Sequence, residues 1–179
     1  MGMVIDMRKS QPKTKDKNRQ IQGAAAHAKG ARFEARLERS FDFYRGTGAA
    51  LICKSPEPMR PVRNLGNGKF EAFFVKKAQP DYEGTIKGGR TVIFEAKYTD
   101  TSKIEQSRVT TSQTDYINEK SSLGARCYVL AGFGSGAVYK IPWSIWSNMK
   151  AIFGRKYVTE SDIAEYKVET ATNGTLLLL

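Results

Sequence analysis

Residues 80–97 read PDYEGTIKGGRTVIFEAK. Thr91 to Phe94 is a β-branched and apolar run, which predicts a strand. Gly84, Gly88 and Gly89 precede it and allow the chain to reverse direction. The stretch therefore predicts a hairpin whose second strand ends in polar residues.

Asp81 precedes this hairpin, and Glu95 and Lys97 follow the apolar run. The hairpin brings Asp81 and Glu95 face to face, and Glu95 and Lys97 project from one side of the strand. Two carboxylates suit Mg²⁺ or Mn²⁺. A metal held there can activate water and polarise a phosphoryl oxygen, and Lys97 adds positive charge where the phosphate gains negative charge. The pattern favours a metal-dependent nuclease.

The alternative is that Asp81 lies in an ordinary turn and that Glu95 and Lys97 form the exposed face of an edge strand. When a sequence contains only an Asp and a Glu-x-Lys motif, this surface interpretation is usually the correct one. Here the preceding apolar run indicates burial, and the whole chain is basic. We therefore favour the nuclease interpretation.

Composition predicts one compact domain and a polyanionic partner. The 179 residues carry 29 Lys and Arg against 18 Asp and Glu, with a net charge of +11, and 11% are aromatic. Nucleic acid is the first candidate partner. No apolar run approaches the roughly 20 residues that span a bilayer, so no membrane partner is expected.

The cysteine and histidine content excludes a zinc cluster. Cys53 and Cys127 lie in apolar segments and are expected to be core thiols, and the single His27 is assigned no role. The first residues lack the apolar core of a secretory signal. A reducing, cytoplasmic location is expected.

The chain divides into a basic, flexible N-terminal arm, residues 1–28, and a single domain, residues 29–179. The spacing of Phe33, Leu37, Phe41 and Tyr44 predicts an amphipathic helix from Lys29 to Tyr44. Glu34 adjoins its apolar face. It either points at the metal or forms surface pairs; both interpretations stay open.

Residues 55–69 predict a projection from the domain, because three prolines within six positions stiffen the first part and a turn sequence follows. This prong carries Arg60, Arg63 and Lys69 and could enter a nucleic-acid branch. An ordinary long hairpin with solvated charges is the alternative.

The remaining elements follow from local patterns. A helix that contains Gln113 is predicted from Thr110 to Glu119. Two more helices are predicted to close the domain. The glycine-rich residues 132–136 predict a hairpin turn, since no phosphate-binding lysine follows them. The remaining predicted strands are residues 49–54, 70–77, 126–131 and 137–141, and the two predicted closing helices are residues 143–153 and 159–166.

The order of these motifs resembles the RecU family of Holliday junction resolvases. The resemblance covers roughly residues 29–149 and rests on four motifs, of which the last two together are quite specific. They are Lys29-Gly30-x-x-Phe33-Glu34, Lys54-x-Pro56-x-Pro58, Asp81-Tyr82-x-Gly84 and Phe94-Glu95-Ala96-Lys97. More broadly the site is similar to the PD-(D/E)xK nuclease superfamily.

The resemblance implies an α/β fold of the restriction-endonuclease type, with a mixed central sheet flanked by helices and a hairpin stalk at about residues 56–75. It implies a homodimer that makes paired, metal-dependent nicks in four-way DNA. By that match Asp81, Glu95 and the carbonyl of Ala96 hold Mg²⁺ or Mn²⁺, and Lys97 positions the attacking water. Glu34 and Gln113 support the site. The expected DNA contacts are Lys29, Arg32, Lys54, Arg60, Arg63, Lys69, Lys76 and Lys77.

The chain departs from the family pattern at two places. Ala28-Lys29-Gly30 stands where Asn-Arg-Gly is common, and Ser112-Gln113 where His-Gln is common. Substrate choice and partner surfaces, including those for recombination proteins, stay open. The alternatives are a related nuclease with another DNA substrate, a non-catalytic binder of branched DNA, and a structural basic protein.

Overall fold

A computed structural model describes residues 14–56, 58–75 and 79–179 of the chain. It has four α-helices, nine strands and two short 3-10 helices in these ranges. The α-helices are α1 (Thr14–Gly46), α2 (Thr111–Ser122), α3 (Trp143–Ser147) and α4 (Met149–Phe153). The strands are β1 (Ala50–Lys54), β2 (Met59–Gly66), β3 (Lys69–Phe74), β4 (Tyr82–Ile86), β5 (Arg90–Thr99), β6 (Lys103–Glu105), β7 (Arg126–Phe133), β8 (Val138–Pro142) and β9 (Tyr157–Thr159).

Five strands form the central sheet in the order β1-β4-β5-β7-β8. The β5 and β7 pair is parallel and the other three pairs are antiparallel. A parallel pair needs a crossover connection, and α2 supplies it. The prediction of a mixed sheet flanked by helices is confirmed.

Two apolar clusters cover the two faces of this sheet. Alternation along β5 sends Ile93 to the cluster with α2 and α3, and Phe94 to the cluster with α1. On the α1 side, Phe33, Leu37 and Phe41 are buried, as their helical spacing predicts. Glu95 and Lys97 share the face of Ile93 and therefore look towards α2.

Helix α1 begins earlier than expected. It starts at Thr14 and not at Lys29, so the second half of the segment predicted as a flexible arm is helical, and Gly30 and Glu34 lie inside the helix and not at its opening. Residues 23–29 are exposed on every side of it. No burial pattern marks residues 23–29, and residues 1–13 of the predicted arm lie outside the described residues.

Strands β2 and β3 form a separate two-stranded hairpin. Every residue of β2 is exposed, as expected for the projecting stalk. Arg60 pairs with Phe73 and Arg63 with Glu71, because the register shifts between Pro61 and Arg63. Residues directly opposite each other share a face, so this bulge places both arginines on one side of the hairpin.

Gly84 has a different function from the predicted one. The chain reverses at residues 87–89, whereas Gly84 lies inside β4 opposite Ile52 of β1. A Cβ atom at Gly84 would lie 2.1 Å from the Leu51 carbonyl oxygen. Glycine is therefore required for the close approach of two strands and not for the turn.

The closing helices differ from the prediction. Residues 143–153 form two short helices, and residues 159–166 do not form an α-helix, although Ala164–Tyr166 is a short 3-10 helix. Instead, β9 pairs with β6, and the Asp162 carboxylate accepts hydrogen bonds from Thr159 and from Arg155 at 2.5–2.7 Å. Thr159 and Asp162 have the spacing of a helix N-terminal cap, but their contacts stabilise a turn. The prediction that both cysteines lie in the core is wrong for Cys53, which is exposed, and is confirmed for Cys127, which is buried.

Residues 176–178 pack against α1. Leu176 and Leu178 are buried, and the Tyr44 hydroxyl donates to the Leu176 carbonyl at 2.6 Å while accepting from the Leu178 N–H at 2.7 Å. Ser40 accepts from the Leu176 N–H. The packing of α1 therefore depends on residues more than 130 positions later. Within the described ranges, no helix has the length and apolar character needed to cross a membrane.

We expect Leu176→Ala to lower the free energy of unfolding by about 2–4 kcal/mol, because it leaves a cavity beside α1. Leu177→Ala is the matched control, since the Leu177 side chain is 46% exposed and Leu176 is 0% exposed. Urea denaturation followed by circular dichroism measures both. Equal losses for the two variants would contradict the packing described here.

Candidate active site

The candidate site lies next to the start of β4, where the pairing between β4 and β5 ends. Tyr82, the first residue of β4, pairs with Phe94, and no residue of β5 beyond Phe94 pairs with β4. Strand β5 nevertheless remains paired with β7 as far as Thr99. Residues 95–99 therefore have an open edge on the β4 side. Asp81, the residue before β4, lies at this edge.

Asp81 is tied to the open edge by backbone and side-chain contacts. Its Oδ2 accepts a hydrogen bond from the Ala96 N–H at 3.0 Å, and its own N–H donates to Glu95 Oε2 at 3.2 Å. Its carbonyl accepts from the Ser55 N–H at 2.8 Å. These bonds replace the missing strand pairing and fix the two carboxylates beside each other.

Glu95 is fully buried, which is costly for a carboxylate unless donors surround it. The Gln113 amide donates to Glu95 Oε1 at 2.7 Å, and the Lys97 ammonium forms an ion pair with the same oxygen. Burial raises the pKa of Glu95 to about 7, and the Asp81 charge adds to the rise while Lys97 opposes it. Lys97 Nζ also lies 3.9 Å from Asp81 Oδ2.

Thr110 positions Gln113 and was not predicted as part of the site. The Thr110 hydroxyl accepts from the Gln113 N–H, while Gln113 Oε1 accepts from the Thr110 N–H at 3.1 Å. This reciprocal pair is a capping box that begins α2. The sequence Thr110-x-x-Gln113 carries the signal, which would have identified both residues.

Glu34 lies near the site but pairs with another residue. Its Oε2 accepts from the Lys54 ammonium at 2.6 Å, and Lys54 also donates to Glu38 at 3.2 Å. The hydrogen bond to Glu34 raises the pKa of Lys54. Glu34 nevertheless lines a cleft of about 430 Å³ together with Ala96 and Lys97, so it faces the same space as the end of the site.

The predicted DNA contacts occupy several surfaces. Lys29 forms an ion pair with Asp100 at 3.0 Å, and Arg32 is exposed on α1. Arg60, Arg63 and Lys69 share one face of the hairpin. Lys76 and Lys77 lie outside the described residues.

The donor set available to a metal consists of oxygens. No group of three or more His, Cys, Asp or Glu side chains suited to a metal occurs in residues 14–56, 58–75 and 79–179. Asp81 and Glu95 are brought together, and backbone or water oxygens would have to complete the shell. Mg²⁺ commonly binds to proteins in this way, through one or two carboxylates and several waters.

A model of the family described as Recombination protein U matches residues 28–178. The chain belongs to the RecU family. The matched range contains the whole central sheet, the hairpin and all residues of the candidate site.

Among curated RecU relatives, the Holliday junction resolvase RecU of Bacillus pumilus is 29% identical over 160 residues, covering 82% of this chain and 76% of the relative. The protein of the same name in Streptococcus gordonii is 29% identical over 113 residues, covering 60% of this chain and 56% of the relative. One from Lactococcus lactis subsp. cremoris MG1363 is 37% identical over 76 residues, which cover 40% of this chain and 35% of the relative.

Among solved structures, Archaeoglobus fulgidus Hjc, a Holliday junction resolvase from an archaeal hyperthermophile, aligns with a TM-score of 0.44 and 12% identity. The alignment covers 73% of this chain and 92% of that protein.

We expect the Glu95 carboxyl of the metal-free protein to titrate with a midpoint near pH 7, as its pKa indicates. Asp81→Asn should lower this midpoint, because it removes a neighbouring negative charge, and Lys97→Met should raise it, because it removes the opposing positive charge. Carbon-detected NMR of labelled glutamate measures the titration, with Glu95→Gln identifying the signal. A midpoint near 4.5 in the folded wild type would contradict the burial described here.

Proposed function

We propose that the protein is a divalent-metal-dependent endodeoxyribonuclease that resolves four-way DNA junctions. The observation that carries this conclusion is the meeting of Asp81, Glu95 and Lys97 at the open edge of β5 in a chain of the RecU family. The names of the relatives support the choice of substrate, and the arrangement of the side chains supports the chemistry.

Asp81, Glu95 and the carbonyl of Ala96 would hold the metal, which we expect to be Mg²⁺ or Mn²⁺. The fit is supported by the position of the two carboxylates, which are held beside each other although like charges repel. Two carboxylates at this place would also repel phosphate unless a cation lay between them. When bound, such an ion would activate water and polarise the phosphoryl oxygen.

Lys97 orients the attacking water and stabilises the negative charge that develops on the phosphate. Its ammonium touches both carboxylate residues and its side chain is only 16% exposed, so its position is constrained. Gln113 holds the Glu95 oxygen in place through the α2 cap. Glu34 supports the site from α1, across the shared cleft.

The hairpin of β2 and β3 would enter the branch of the junction. Arg60, Arg63 and Lys69 lie on one of its faces, where they can contact phosphates of two converging arms. Phosphate contacts position DNA by shape and charge and do not identify bases. The net charge of +11 supports the same partner.

Three further features belong to the proposal. A homodimer would supply one site for each of the two strands that must be cut. Recombination proteins are the expected partners. A cytoplasmic, reducing location agrees with two free cysteines, Cys53 and Cys127.

We expect Asp81→Asn to reduce junction cleavage by at least about 100-fold, because loss of even an indirect partner of a metal ligand costs 10- to 100-fold. Asp42→Asn on α1 removes the same charge from an exposed position and should cleave normally. The assay uses an end-labelled four-way junction beside a linear duplex of the same sequence, with Mg²⁺ or with EDTA.

Each outcome has a defined meaning. Symmetric nicks near the branch, only with metal, support a junction resolvase. Metal-dependent cutting at positions unrelated to the branch would instead indicate a nuclease with another DNA substrate. Binding to the junction without cutting under any condition would favour a non-catalytic binder, and unchanged cutting by Asp81→Asn would refute the metal site.

We expect the pair Arg60→Ala and Arg63→Ala to weaken binding to a four-way junction more than binding to linear duplex, because the hairpin contacts only branched DNA. The dependence of the junction affinity on salt should fall by about one ion per lost phosphate contact. Fluorescence anisotropy at several salt concentrations measures this. Lys150→Ala with Lys156→Ala is the charge-matched control outside the hairpin, and equal effects on both DNAs would remove the specific role of the hairpin.

A further inference from the structure

A second cleft lies on the α1 side of the end of β5. Its volume is about 360 Å³. Three cationic residues of α1 line it, together with the glycine-rich loop at residues 132–136 and the end of β5. The cationic residues are Lys29, Arg32 and Arg36, and Asp100 is the carboxylate among the lining residues.

Two of the three cations have partners within the protein. Lys29 donates to Asp100 at 3.0 Å, and Arg36 donates to the Gly136 carbonyl and to the Thr170 hydroxyl, both at 3.0 Å. Arg32 has no hydrogen-bond or ion-pair partner among the residues that the structure describes. It is therefore the guanidinium of this cleft that is available to a ligand.

The second cleft adjoins the cleft of about 430 Å³ that Glu34 lines beside the end of the candidate site. Both clefts are lined by Phe33, Tyr98 and Asp100, and the cleft beside the site also contains Ala96 and Lys97. Asp100 follows Lys97 by three positions, which corresponds to roughly 10 Å along an extended chain. A DNA strand that passes Lys97 and continues past Tyr98 would reach Arg32.

The wall between the clefts is fixed in place. The Tyr98 hydroxyl donates to Asp100 Oδ1 at 2.8 Å, and the Tyr98 and Phe33 rings lie 6.0 Å apart. A Cβ atom at Gly132 would lie 2.8 Å from the Phe33 ring, so the glycine lets this ring pack closely against β7. The position of Arg32, the residue before Phe33, is thereby set relative to Lys97.

We propose that the second cleft binds a backbone phosphate of the DNA strand being cut, and that Arg32 is the residue that contacts it. Because Asp100 lies only roughly 10 Å beyond Lys97 along an extended chain, this phosphate would belong to a nucleotide close to the bond that is cleaved. The ligand is a phosphodiester, because the cleft offers an available guanidinium and because it continues from the site where a phosphate is expected to react. This inference rests on the proposed function.

The test measures binding and not cleavage. Full-length protein carrying Asp81→Asn is titrated against a labelled four-way junction in EDTA, with and without Arg32→Gln. We expect Arg32→Gln to weaken binding by at least about tenfold and to reduce the salt slope by about 0.9. Arg45→Gln is the matched control, since Arg45 is exposed on the same helix, about 140° around its axis from Arg32.

Two further measurements distinguish a specific contact from general attraction. Single phosphates of the junction are replaced by neutral methylphosphonates, and replacement at one position near the expected cut should weaken binding of the Asp81→Asn protein but not of the variant that also has Arg32→Gln. Arg32→Lys should retain the salt slope. Inorganic phosphate at millimolar concentration should not compete selectively with the Arg32-dependent binding; if it does, the cleft takes a free anion and the proposal is overturned.

Failure of this inference differs from failure of the proposed function. If Arg32→Gln binds as Arg45→Gln does while the wild type still resolves junctions, the second cleft has no DNA contact. If the wild type never cuts but the methylphosphonate effect depends on Arg32, the phosphate site stands and the nuclease assignment falls.

Discussion

The buried carboxylate of Glu95 is the constraint on which the rest of the site depends. A charge with no exposed surface is destabilising unless neighbouring donors compensate for the lost water. Gln113 and Lys97 supply these donors, and Gln113 can do so only because it is the third residue of α2, held by Thr110. The start of the crossover helix is thus fixed by the same contact that fixes the carboxylate, and fold and site are specified together.

A mismatch in strand length provides the space for this arrangement. Strand β5 extends past the first residue of β4, so its backbone would be left without partners beside Asp81. The Asp81 side chain accepts the Ala96 N–H in place of a strand. A longer β4 would satisfy the same backbone group with an ordinary ladder bond and would leave no room for a second carboxylate. The site exists because the sheet is incomplete at this point.

Local patterns predicted the parts of the structure that local physics decides. The apolar run before Glu95, the spacing of Phe33 to Tyr44 and the prolines before Arg60 each gave the right element. Several failures depend on distant contacts, whereas residues 23–29 are helical although they are exposed. Thr159 to Tyr166 has a helix-like cap, but pairing of β9 with β6 overrides it. The pairing of Lys54 with Glu34 and the burial of Leu176 carry no signal in the sequence at all.

The hydroxyl of Tyr44 that binds the backbone at Leu176 and Leu178 has a consequence for how the chain is made. During translation α1 emerges first and its neighbour β1 follows directly, but its packing partners on β5 and at residues 176–178 follow much later. Contacts between such distant segments form slowly, because a long loop must close first. The contacts that hold Tyr44 at the end of α1 therefore form only after synthesis has passed residue 178, so an incomplete nascent chain would lack part of the packing of the helix that carries Glu34 and Arg32.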